Sequence, residues 1–229
     1  MKILFWDIDG TLLRTDKAGL YAFQQAIEEI WHTQVDFHTI KTSGMTDGFI
    51  ASEVIRLASG REPAAEEISA LVERYEQLLP VHLTKREGHL TPSVKEILAY
   101  FHNKPDYLSL LLTGNTITGA QAKLSYYGLI DYFDFTTSAF SKNCFNRSEV
   151  AAQALAAVQN RYPAVPPNNL FVIGDTPHDI NCGKGIGAKT IAVATGTYSL
   201  QELIAHDPWW AVENLPCPQD FERKLATAD

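Results

Sequence analysis

Apolar positions fall into two regimes along the chain. An unbroken run, Lys2 to Trp6, reads as a buried strand and stops at two aspartates, Asp7 and Asp9. After it the spacing turns helical. Lys17 to His32 carries Ala18, Tyr21, Ala22, Ile27, Ile30 and Trp31. Thr46 to Ser59 sets Ile50, Val54, Leu57 and Ala58 on one face and stops at Gly60, and Ala64 to Leu83 carries Ile68, Leu71, Val72, Tyr75, Leu78 and Leu79. At Thr91 the pattern changes: Thr91 reads as an N-cap and Pro92 as the opening of a helix to Asn103. Strand and helix then alternate: strand Tyr107 to Leu112, helix Thr116 to Tyr127 closed by Gly128, a strand around Phe135 to Thr137, helix Arg147 to Arg161, strand Leu170 to Ile173, a short helix after Asp179, and strand Thr190 to Ala194.

Alternation of this kind predicts an α/β fold, a parallel sheet with helices on both faces. The helical block becomes an insertion after the first strand, which divides the chain into a core of residues 1–14 and 91–229 and a helical cap of residues 15–90. With 229 residues, 45% of them hydrophobic, there is enough apolar material for one large core or a core and a satellite. A net charge of -8 leaves no basic excess for nucleic acid. Cys144, Cys182 and Cys217 are far apart and form neither a disulfide framework nor a zinc pattern. The first apolar run is too short for a secretory signal and no run spans a bilayer, so a soluble cytoplasmic protein with no membrane partner, monomer or homodimer, is expected.

The chemistry-bearing residues collect just past the carboxyl ends of predicted strands: Asp7 and Asp9 after the first, Thr113, Gly114 and Asn115 after LSLLL, Asp175 and Asp179 after FVIG. Ligands of doubly wound sheets bind at that edge. Carboxylates converging there repel one another unless a cation lies among them, and hard oxygen ligands favour magnesium.

DIDGTLL, LLLTGN and GDTPHDI, in this order, resemble motifs I, II and IV of the haloacid dehalogenase-like hydrolase superfamily. The inserted block, with SGMTDGFIA inside it, is similar to the helical cap of the phosphoglycolate phosphatase and beta-phosphoglucomutase subclass. The resemblance implies a Rossmann-like core with the three motif strands side by side, and a phosphatase acting on a small phosphorylated metabolite through an aspartyl-phosphate. A sugar phosphomutase with the same residues is the alternative. By this resemblance Asp7 is the nucleophile and Asp9 the general acid and base. Mg2+ is held by Asp7, the Asp9 backbone carbonyl and Asp175, with Asp179 binding through water or orienting Asp175. Gly10, Thr11, Thr113, Gly114 and Asn115 hold the phosphoryl oxygens. The usual lysine-proline pair of motif III is absent from SAFSKNCFNRSEVAAQAL; Arg147 is preferred for its cationic role, with Lys142 and Lys123 as alternatives. The second aspartate favours a phosphatase over a dehalogenase, and the large insertion disfavours a phosphoacceptor receiver. His178 reads as a loop spacer, and Trp209 with Trp210 as cover for a sheet edge or a final helix. In the cap, Tyr21, Lys41, Thr42, Ser43, Thr46 and Asp47 are pocket candidates that serve equally well as helix caps.

Overall fold

A computed structural model describes residues 1–141 and 145–228. In chain order the elements are β1 (Lys2–Trp6), β2 (Leu13–Arg14), α1 (Ala18–Trp31), α2 (Asp47–Ser59), α3 (Ala65–Thr84), β3 (His89–Leu90), α4 (Val94–His102), β4 (Tyr107–Leu111), α5 (Ile117–Tyr126), α6 (Arg147–Arg161), β5 (Leu170–Gly174), α7 (Pro177–Gly185), β6 (Lys189–Val193), α8 (Leu200–Ile204), β7 (Trp210–Val212) and α9 (Pro218–Ala226).

Five strands pair in the order β4-β1-β5-β6-β7, all parallel, so the first strand sits at the centre with the LSLLL and FVIG strands on either side. Alternation along β1 explains the two helical layers. Leu4 and Trp6 pack with Ile97, Phe101 and Phe221 of α4 and α9, while Ile3 and Phe5 pack with Val150, Ala154 and Cys182 of α6 and α7. Trp210 lies on the edge strand and against Phe221, ring centroids 5.9 Å apart, so it serves both structural roles foreseen for it.

Between β2 and β3 the chain is helical, with its own apolar cluster from α1, α2 and α3 and a stacked Phe23–Tyr75 pair at 3.9 Å. The short antiparallel pair β2–β3 ties the chain's exit to its return, Leu13 opposite Leu90.

Three local expectations are corrected. Phe135 to Thr137 is a turn: Asp134 accepts from the Thr136 backbone N–H at 2.9 Å and from the Thr136 and Thr137 hydroxyls, which folds the chain locally in place of a ladder. One bridge, Leu112 to Ala139, is what pairs there. Thr91 does not cap α4, because its hydroxyl donates to the Thr11 carbonyl at 2.5 Å; Ser93, at φ 63, precedes the helix instead. The short helix starts at Pro177, before Asp179, since Thr176 caps it and proline suits the first turn. Among the described residues no helix is long and apolar enough to cross a membrane.

Candidate active site

The ends of β1, β4 and β5 bring the motif residues to the floor of a cleft of about 410 Å³ beneath the helical insertion. Asp7 continues β1, its N–H donating to the Ile173 carbonyl at 3.0 Å. Gly10 takes φ 87, and a side chain there would overlap the Asp175 carboxylate. That close approach lets the Thr11 hydroxyl donate to Asp175 Oδ1 at 2.9 Å.

Asp7, Asp175 and Asp179 are buried, and one carboxylate oxygen from each lies within 4.8 Å of the others. Burial pushes the Asp7 carboxyl up to about 6, against the pull of Arg147, with Asp179 and Asp9 adding repulsion. Asp175 is raised as well, by burial and then by Asp179 and Asp7. Three buried hard oxygen donors held this close fit a hard divalent cation. Asp179 already has other partners. One oxygen takes the Thr176 hydroxyl at 2.7 Å and the Thr176 N–H at 3.1 Å, and the other takes the Arg147 guanidinium. That engagement suits a carboxylate that orients the cluster.

Arg147 opens α6 after the Asn146 cap, which accepts from the Glu149 N–H at 3.0 Å. Its guanidinium donates to Asp7 Oδ1 at 3.2 Å and to Asp179. Burial works against its charge, but Asp179 and Asp7 outweigh it and raise its pKa, so it is a permanent cation. The structure therefore puts Arg147 beside Asp7 and Asp179. Lys123 stands elsewhere, its ammonium between Asp9 Oδ2 at 2.5 Å and Asn115 Oδ1 at 2.6 Å. Lys142 lies outside the described residues.

Asn115 links the halves of the floor. Its amide donates to Asp9 Oδ2 and to Thr113 Oγ1, both at 2.8 Å. Both hydrogen bonds received by the Asp9 carboxylate fall on Oδ2, which fixes its plane.

The insertion presses onto this floor. The Asp47 N–H donates to the Gly114 carbonyl at 2.8 Å, and Asp47 Oδ2 accepts from the Thr116 N–H at 2.8 Å at the start of α5. The Thr116 hydroxyl donates to Glu76 of α3 at 2.5 Å, and the Ser43 and Thr197 hydroxyls meet at 2.9 Å. Burial lifts Asp47 to about 7, with Lys123 and the Thr116 N–H opposing and Asp9 and Glu76 adding to the rise.

Of the cap candidates, Thr42, Ser43 and Asp47 line the cleft. Thr46 caps α2, accepting from the Phe49 N–H at 3.1 Å, and Tyr21 is exposed beside His82. Neither of these two lines the cleft, nor do Lys41 and His178. Sequence reasoning missed Arg14, Tyr75 and the loop after β6, where Gly196 packs against Asp175 and Thr195 donates to the Gly10 carbonyl at 2.5 Å. A glycine just past a strand on the ligand edge was a readable signal for that loop.

A family model described as haloacid dehalogenase-like hydrolase matches residues 3–193. The chain belongs to that family. Among curated relatives of this hydrolase, "Probable phosphatase IndB" of Dickeya dadantii is 24% identical over 90% of this chain and 86% of its own. The phosphoglycolate phosphatase of Vibrio parahaemolyticus is 20% identical over 94% of this chain and 93% of its own. Among solved structures, a family IA, variant 3 HAD hydrolase from Entamoeba histolytica covers 99% of this chain and 100% of its own with TM-score 0.76 at 16% identity, a likeness of fold.

Proposed function

We propose that this hydrolase is a magnesium-dependent phosphatase that cleaves a small phosphomonoester through a phosphoryl group carried on Asp7. The observation supporting this most strongly is the arrangement of Asp7 and Asp9: one buried beside Arg147 and the acidic cluster, the other half-exposed and held on a single oxygen. Asp7 attacks phosphorus as the bond to the leaving oxygen breaks. Asp9, with Oδ2 engaged, keeps Oδ1 for the proton it gives to that oxygen. Water then attacks the phosphorus on Asp7, Asp9 takes the proton, and Asp7 is released with inorganic phosphate. Arg147, the Thr113 hydroxyl, the Gly114 and Asn115 amides and the loop at Gly10 and Thr11 hold the phosphoryl oxygens.

Asp7, the Asp9 backbone carbonyl and Asp175 would hold the magnesium, with Asp179 keeping the set in place. Its charge offsets the repulsion between a carboxylate and a phosphate dianion. A sugar phosphomutase is the second reading, favoured by the contact of Asp47 with Gly114 that covers the floor, since a mutase must exclude water.

The test is phosphate release across a panel of phosphomonoesters, with magnesium titrated and calcium as control. Asp175→Asn is expected to raise the magnesium needed for half-maximal rate and to lower turnover severely, with the circular dichroism of the wild type. Unchanged activity of that variant at limiting magnesium contradicts the ligand assignment, and isomerised sugar phosphate without free phosphate selects the mutase.

A further inference from the structure

On the phosphatase reading, we infer that the cleft selects phosphoesters whose alcohol is uncharged or cationic, and that Asp47 rejects an alcohol bearing a carboxylate. Asp47 has little freedom to move aside. Thr46 caps the helix it opens, its N–H is bound to Gly114 and its Oδ2 to Thr116, and it is 6% exposed. Its carboxyl is thereby pinned above residues 113–116, the loop the phosphoryl group would occupy, in the cleft that Asp9 and Lys123 also line.

The charges around this chamber do not favour an anion. Lys123 is its buried cation, and that ammonium is committed to Asp9 and Asn115. Arg147 is committed to Asp7 and Asp179. Glu76 adds a further carboxylate through Thr116, and Tyr75 contributes a neutral hydroxyl beside Asp47 and Gly119. Arg14 and Lys17 also line the cleft, but both are exposed, where water weakens their pull. A carboxylate arriving here meets Asp9 and Asp47, with Glu76 behind Thr116, against an engaged Lys123 and the exposed Arg14 and Lys17. It must either bear the repulsion or drive Asp47 to its protonated form. A hydroxyl or ammonium instead finds a carboxylate acceptor. Because burial pushes the Asp47 carboxyl up to about 7, with Lys123 and the Thr116 N–H opposing and Asp9 and Glu76 adding to the rise, the cost to an anion rises with pH.

Three two-carbon esters separate the cases: 2-phosphoglycolate, ethyl phosphate and phosphoethanolamine, compared by kcat/KM with magnesium at pH 6 and pH 8. The ratio of two substrates cancels most of the pH dependence of the shared machinery. Phosphoglycolate is expected to be poorer than ethyl phosphate by about tenfold or more, with the gap wider at pH 8, and Asp47→Asn is expected to narrow it. The asparagine keeps an oxygen for the Thr116 N–H, and the pH comparison on the wild type needs no variant. Phosphoglycolate turnover equal to or above that of ethyl phosphate overturns the inference, as does a gap that Asp47→Asn leaves unchanged. Nitrophenyl phosphate tests the phosphatase reading alone: turnover of it alongside rapid phosphoglycolate hydrolysis defeats only the selectivity claim, and no turnover of any ester defeats both.

Discussion

Two buried cations divide the floor of the cleft, and each faces more than one carboxylate. Arg147 faces Asp7, Asp175 and Asp179; Lys123 faces Asp9, with Asp47 and Glu76 beyond it. The excess of negative charge is similar, yet it is handled differently. Around Arg147 the carboxylates converge within 4.8 Å, a spacing at which a divalent ion is the economical remedy. Around Lys123 they stay apart, each with a donor of its own: Asn115 and Lys123 for Asp9, the Thr116 N–H for Asp47, the Thr116 hydroxyl for Glu76. On the function proposed above, the same surplus would make a metal and phosphoryl corner on one side and a proton-transfer and leaving-group corner on the other. A planar fork that never loses its charge suits the first, and a point charge aimed at one oxygen suits the second.

The strongest way to break this division is to remove the fork. Arg147→Met leaves Asp7 and Asp179 without their buried partner, and a fall in kcat of roughly 10²–10³ is expected, as for loss of a donor to developing charge. Arg147→Lys should recover part of it. Steady-state kinetics on an aryl and an alkyl phosphate should show equal losses on both, because this corner acts on the phosphoryl group.

Next in size is Lys123→Met. With the ammonium gone, Asp9 loses one of two anchors on Oδ2, and a fall of about 10²-fold on an alkyl phosphate is expected, within the range of general acid catalysis. A nitrophenyl ester, whose alcohol leaves unaided, should lose much less. Equal losses on the two esters would place Lys123 in the phosphoryl corner after all.

The smallest effect is on stability. Asp47 is raised from 3.8 to about 7, so folding favours its protonated form; the stabilisation is full below about 4 and is lost as pH rises through 7. Asp47→Asn removes the burden of the buried charge, so its melting temperature relative to wild type should be higher at pH 8 than at pH 5. Thermal melts at the two values decide it, and a difference that does not change with pH contradicts the assignment.

The placement of the residues proposed for metal and phosphoryl group was legible because they follow apolar runs directly: FWD, LLLTGN and VIGD each announce a strand and the side chain at its end. Arg147 could be read from its place at a helix start even without the lysine-proline pair. The other corner was read only in part: Asp9 was expected as general acid and base, Lys123 as an alternative for the motif III cation and Asp47 as a pocket candidate, but not that they meet. Lys123 looks like a surface lysine until its neighbours are placed, since Gly119, Ala120 and Leu124 share its buried face; a lysine on the apolar side of a helix was the signal. Asp47 was masked by Thr46, whose capping pattern gives a first-turn acid a sufficient local reason. The strand expected at Phe135 failed on hydrogen bonds accepted by one aspartate, Asp134, and Thr91 was diverted by a tertiary contact with Thr11. Neither of those competitors has a hydrophobic period to reveal it.

The division of labour between Asp7 and Asp9 is tested most directly by trapping the phosphoenzyme. Asp9→Asn protein, mixed with nitrophenyl phosphate and magnesium and quenched in acid, is analysed by intact mass and peptide mapping, beside a single-turnover comparison with an alkyl phosphate. The account predicts one added phosphoryl group, mapped to Asp7, and a far greater slowing on the alkyl ester. No phosphoprotein, with equal slowing on both esters, would contradict it.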